Sequence, residues 1–66
     1  MEIRSNIKVY REMHHMTQED LAKRVGVTRQ TILAIENDKY LPSLELALKI
    51  SHVFDKPVER MFTVHR

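Results

Sequence analysis

The sequence predicts one mostly helical domain, five helices with a small antiparallel β-ribbon made from the two termini. Three observations carry that expectation. From residue 7 to residue 54 the apolar side chains recur at the three- and four-residue spacing of a helix face. Helix-stopping and helix-capping residues interrupt this pattern at Thr17, at Gly26-Val27-Thr28, at Leu41-Pro42-Ser43 and at Lys56-Pro57, so each helix is short. At the two ends Glu2-Ile3-Arg4 and Phe62-Thr63-Val64-His65 alternate apolar and polar residues, as strands do. A chain of 66 residues is one domain, spanning 1–66.

The elements follow in order. A first strand at about 2–4 leads into a first helix over roughly 6–15, with Ile7, Tyr10 or Arg11, and His14 on one side. Thr17 is an N-cap residue, and Asp20 three positions on is a shorter version of the capping-box acid; they start a second helix at 18–25, with Leu21, Ala22 and Val25 inward. Gly26 can close that helix in the left-handed conformation without a steric penalty. Thr28 then caps a third helix at 29–36, with Ile32 and Ile35 inward. Ser43 caps a fourth at 44–54, where Leu46, Ala47, Ile50 and Phe54 repeat at helical spacing. Pro57 suits the first turn of a brief fifth helix at 57–61, and a last strand occupies 62–65. A two-stranded ribbon is marginal on its own and is expected to pack on the helices.

Composition narrows the function classes. There is no cysteine, hence no disulfide framework and no thiolate metal site. The net charge of +2 permits an anionic partner without demanding one. No apolar run approaches the roughly 18 residues of a membrane span, and Met1-Glu2-Ile3-Arg4 does not open a secretory signal, so a cytoplasmic location is expected. A chain this short hides only about 60 % of its unfolded surface. Its core supplies about 3–5 kcal/mol, which makes self-association an expected route to stability.

The segment from Gln18 to Glu36 is the most specific feature: QEDLAKRVGVTRQTILAIE. It asks for two short helices meeting at a tight corner, with small Ala22 where the helices cross, Gly26 at the corner, and Leu21, Val25, Val27, Ile32 and Ile35 converging on one core. Those demands at fixed offsets describe a helix-turn-helix over about 18–36.

The chain from residue 6 to about residue 61 resembles the lambda-repressor-like, XRE-type DNA-binding proteins. Beyond the motif, the likeness includes Arg11, Glu36-Asn37-Asp38-Lys39-Tyr40, Pro42-Ser43 and Leu46-Ala47-Leu48-Lys49-Ile50. In length and in both termini it is similar to the compact stand-alone regulators of the cytolysin-repressor type, homodimers whose terminal strands pair. The resemblance implies a transcriptional regulator, most plainly a repressor, that binds double-stranded DNA as a homodimer on a palindromic operator. No cofactor, metal, membrane or small-molecule ligand is expected, and the expected place of action is the nucleoid.

On that reading the start of the third helix enters the major groove and presents Thr28, Arg29, Gln30 and Thr31, with Ala34 one turn on. Arg29 can fork onto guanine and Gln30 can bond adenine bidentately. Ala34 can meet a thymine methyl, whereas Leu33 departs from the polar residues usual there. Gln18, Asn37, Lys39 and Tyr40 are expected at the phosphates, with Arg24, Lys8 and Arg4 as weaker candidates. The resemblance also implies a structural ion pair between Arg11 and Glu36. Leu41, Val58 and Met61 either close the monomer core or face a second copy, and the likeness to the stand-alone regulators implies the second.

Other readings are weaker. Tyr10 and Tyr40 read as packing or rim residues, and Met13, Met16 and Met61 as core gap-fillers. His14, His15, His52 and His65 show no metal-ligand spacing. No glycine-rich phosphate loop and no nucleophile–base set argues for an enzyme. The competing function is an antitoxin-type module that binds a toxin protein and autoregulates, and it is disfavoured because nearly every residue is used by the domain.

Overall fold

The computed structural model describes residues 2–66. The element order is β1 (Glu2–Ser5), α1 (Ile7–Met13), α2 (Gln18–Val25), α3 (Arg29–Glu36), α4 (Leu44–Phe54), α5 (Val58–Met61) and β2 (Phe62–His65).

Helices α2, α3 and α4 each start where the sequence supplies a side-chain oxygen for the free amides of the first turn. The Thr17 hydroxyl accepts from the Asp20 N–H and the Asp20 carboxylate accepts from the Thr17 N–H, both at 3.0 Å, so α2 opens with a complete capping box. Thr28 accepts from the Thr31 N–H at the head of α3, and Ser43 from the Leu46 N–H at the head of α4. Gly26 closes α2 at φ 78°, the one place where the corner requires a left-handed residue between the paired helices.

Ile7, Leu21, Ile32, Ile35, Ile50 and Met61 are the largest fully buried side chains. All four longer helices and the end of α5 thus share one core, with Ala22, Val25, Leu46 and Phe54 completing it. Phe62 packs against that core from the ribbon, which anchors an otherwise marginal pair of strands. The strands are antiparallel and pair Glu2 with His65 through to Ser5 with Phe62. Asn6 locks the junction: its N–H donates to the Met61 carbonyl at 2.8 Å, and its side-chain amide donates to Thr63 Oγ1 and to the Arg60 carbonyl.

Several expectations need correction. The first helix ends at Met13, earlier than expected, because His15 adopts φ 55° and lets the Met16 N–H return to the Arg11 carbonyl. His14 is therefore not an inward residue of a helix; it is exposed, and its ring leans on Phe54 at 5.3 Å. Arg11, and not Tyr10, is the buried member of the alternative on α1. Met13 is two-thirds exposed, since on a helix that turns Ile7 and Arg11 inward its position faces away. Pro57 precedes α5 as its N-cap and does not lie within its first turn. Met61, expected at an interface between copies, has no exposed surface. Its helix is a single turn that directs this side chain into the core, leaving nothing of it for a second chain to cover.

Candidate nucleic-acid interface

Packing of Ile32 and Ile35 into the core decides what α3 shows to the outside. At about 100° per residue, the opposite strip carries Gln30, Leu33, Ala34 and Asn37, with Arg29 at its leading edge. Arg29, Gln30 and Asn37 are exposed, Leu33 is 38 % exposed, and Ala34 is half-buried. Thr28 is exposed, but its hydroxyl lies 3.1 Å from that of Thr31, which is half-buried. The two threonines hold each other at the start of the helix, so Arg29 and Gln30 are the long, outward polar side chains of the first turn.

A chain of hydrogen bonds runs from the interior to Arg29. Glu36, with a side chain only 2 % exposed, accepts from Arg11 Nε at 2.7 Å and from Arg11 Nη2 at 3.2 Å, a forked pair that ties α1 to α3. Arg11 also donates to the Met16 carbonyl at 2.8 Å. The bond to Glu36 outweighs burial and holds the Arg11 guanidinium above its ordinary pKa, so it stays charged. The same Glu36 carboxylate accepts from the Gln18 side-chain amide at 3.1 Å. That bond fixes which end of the Gln18 amide is oxygen, and this oxygen accepts from Arg29 Nη1 at 3.5 Å, the outer limit of such a bond. Gln18, expected at a phosphate, is half-buried and lies between the buried ion pair and the guanidinium of Arg29.

Beyond α3 the chain turns at Asp38, whose φ of 58° places its carboxylate where it accepts from the Ser5 N–H at 2.9 Å. That contact joins strand β1 to the loop holding Asn37, Lys39 and Tyr40, all of them exposed. The Lys39 N–H returns to the Ala34 carbonyl at 2.9 Å, so the loop continues directly from the outward strip of α3. Arg4 pairs with Glu2 at 3.4 Å. Among the described residues, the ion pairs at 4 Å or less include none made by Arg24, Arg29 or Lys39. At the start of α2 the capping box holds the Asp20 carboxyl below its ordinary pKa, through the Thr17 N–H first and the Thr17 hydroxyl second.

Sequence reasoning overlooked two features. Nothing local in the sequence signals the contact of Asp38 with a residue 33 positions away. Leu44 and Leu48, one turn apart on α4, are 72 % and 43 % exposed and form a short apolar stripe there, and Leu41 in the preceding loop is 61 % exposed. Their spacing opposite Leu46, Ala47 and Ile50 could have revealed this. Leu48 and half-buried Val58 line one surface depression, so the stripe on α4 is continuous with the exposed side of α5. Among the described residues no three His, Asp or Glu side chains gather as metal ligands, and no helix is long and apolar enough to cross a membrane.

Comparisons with known proteins agree with this geometry. A family description, helix-turn-helix (HTH_3), matches residues 7–61. An uncharacterized HTH-type transcriptional regulator of Methanocaldococcus jannaschii is 53 % identical over 60 residues, covering 91 % of each chain. A regulator of the same description from Archaeoglobus fulgidus is 53 % identical over 60 residues, 91 % of this chain and 84 % of that one. YgzD of Bacillus subtilis, described likewise, is 45 % identical over 60 residues, again 91 % of each. A crystal structure of a candidate DNA-binding protein from Bacteroides fragilis shares the fold, with a TM-score of 0.84 at 23 % identity, covering 92 % of this chain and 98 % of that one. With its paired short helices, its glycine corner and a family match reaching from α1 to the end of α5, the chain belongs to the XRE-type helix-turn-helix family of transcriptional regulators.

Proposed function

We propose that this chain is a sequence-specific, double-stranded DNA-binding regulator of transcription that acts in the cytoplasm as a homodimeric repressor on a palindromic operator. The observation that carries this reading is the leading turn of α3. There Arg29 and Gln30 stand exposed side by side, and the Arg29 guanidinium is steered from behind by Gln18 and the buried Glu36. A helix fits the major groove, and a guanidinium and an amide at its leading end match guanine and adenine respectively. Thr28 and Thr31 sit at the mouth of the reading turn, and Ala34 continues it. Asn37, Lys39 and Tyr40 flank the phosphate strand, and Gln18 acts on DNA through Arg29.

The second copy would lie against Leu41, Leu44, Leu48 and Val58, apolar side chains that lie outside the monomer core. A twofold pair must set its reading helices about 34 Å apart, one turn of duplex, to engage both half-sites. Bound at a promoter, such a dimer represses by occupying it.

Selection of bound sequences from a random duplex pool tests the base-reading assignment. Arg29→Ala and Gln30→Ala should each relax one position of the selected half-site, since a bidentate contact discriminates by about 1–3 kcal/mol. Lys39→Ala should weaken all duplexes alike and flatten the salt dependence. An Arg29→Ala protein that selects the wild-type sequence would refute the assignment.

A further inference from the structure

The outward strip of α3 contains one residue that a polar reading surface does not need. Leu33 is 38 % exposed and belongs neither to the core nor to the apolar side chains packed on it. It follows Arg29 by four positions and Gln30 by three, so it sits one helical turn beyond both on the same surface. Ala34 beside it is half-buried and carries only a methyl group, which leaves Leu33 as the longest apolar side chain on this part of the helix.

We infer that Leu33 is a specificity-determining residue that selects a thymine by its C5 methyl group. This rests on the reading in which α3 enters the major groove. Of the groups base pairs display there, the thymine methyl is the apolar one, and the others are hydrogen-bond donors and acceptors. A leucine laid against a cytosine amine or a guanine carbonyl would strip water from that group and return no hydrogen bond. Leu33 therefore acts twice: it gains contact with thymine and penalises G·C pairs at the same step. That step lies next to the bases read by Arg29 and Gln30, on the side toward the end of α3, and occurs once in each half-site.

The test begins from the duplex selected by the wild-type protein. Each thymine is replaced in turn by deoxyuridine, which removes the methyl group and keeps every base-pairing atom. At least one thymine per half-site should be sensitive, with about a fourfold loss of affinity, the worth of one buried methyl group, and the one read by Leu33 is the one that Leu33→Ala desensitises. Leu33→Ala, checked for unchanged helicity and sedimentation, should bind the thymine and deoxyuridine duplexes equally at that position. The inference is overturned if no thymine is methyl-sensitive, or if Leu33→Ala keeps the full sensitivity of the wild type. A pool that yields no consensus overturns the base-reading proposal and this inference together; a clear consensus with methyl-insensitive thymines overturns this inference alone.

Discussion

Removing the Glu36 carboxylate should be among the most damaging single changes in this protein. Glu36→Ala takes both forked acceptors from an Arg11 side chain that is only 11 % exposed and leaves it the Met16 carbonyl alone. Breaking a buried pair by deleting one partner costs about 3–5 kcal/mol. At about 0.05–0.15 kcal/mol per residue, the folded state of such a small domain has roughly that much to lose. With about 4–8 °C of melting temperature per kcal/mol, the midpoint should fall by at least about 12 °C. Arg11→Met should be comparably harmful, because Glu36 would keep only Gln18 as a donor. The double variant Arg11→Met/Glu36→Leu fills the same space with apolar groups and should lie within about 1 kcal/mol of wild type. Circular dichroism melts of wild type, Arg11→Met, Glu36→Leu and the double variant at one concentration, with any association held constant, close the cycle and give the coupling directly. Additive single effects, or a Glu36→Ala midpoint within a few degrees of wild type, would refute the argument. The double variant also lacks the acceptor that orients Gln18, so it should fold well and yet read DNA less selectively.

Three further outcomes are expected. The capping box depresses the folded-state pKa of Asp20, so its contribution to stability is complete above the ordinary carboxylate value and is lost as the pH falls through the depressed one. The stability gap between wild type and Asp20→Asn should shrink on acidification below about pH 4, and a gap constant across that range in acid melts would contradict this. Asp55 closes α4 at φ 52° with a carboxylate at the negative end of the helix, so Asp55→Gly should raise stability by about 0.5–1 kcal/mol in urea titrations; a loss would show that the side chain contributes more than strain. Val58→Asp and Leu44→Asp place charge on the proposed seam without touching the core, and both should sediment as monomers; a protein still dimeric with either change has its interface elsewhere.

Helices α2, α3 and α4 lie within the expected boundaries because their limits are written in local chemistry. Thr17, Thr28 and Ser43 each hand an oxygen to an amide three residues on, and Gly26 supplies the left-handed corner. Such signals act over a few residues and can be read in a linear string. The end of α1 could not be read this way, since His15 takes a conformation in which glycine or asparagine is usual and the apolar pattern continues past it. Met61 shows the same limit in packing. An apolar residue on a one-turn helix has no repeat from which to infer its direction, and only its complete burial in the folded chain shows that it turns inward. Ser5 and Asp38 lie 33 positions apart, and their contact exists only once the ribbon has closed.

Charge on the proposed reading face follows the same logic. Across residues 17–40, Lys23, Arg24, Arg29 and Lys39 cancel Glu19, Asp20, Glu36 and Asp38, which gives no hint of an anion-binding surface. A tally weights every charge equally, but the fold does not. Glu36 is buried and neutralised by Arg11, a residue outside the segment, and the Asp38 carboxylate is turned to the Ser5 amide of the ribbon. Asp20 is engaged at the start of α2, while Arg29 and Lys39 remain exposed on the strip that α3 and its following loop share. Three of these four acids thus help build the scaffold, and with Glu36 buried the exposed charge of the segment is more positive than its sequence sum. With only a few free cations on that strip, few counterions can be released on binding. On the proposed reading, affinity should therefore fall gently with salt, and discrimination would rest on Arg29, Gln30 and the apolar residue behind them more than on the phosphates.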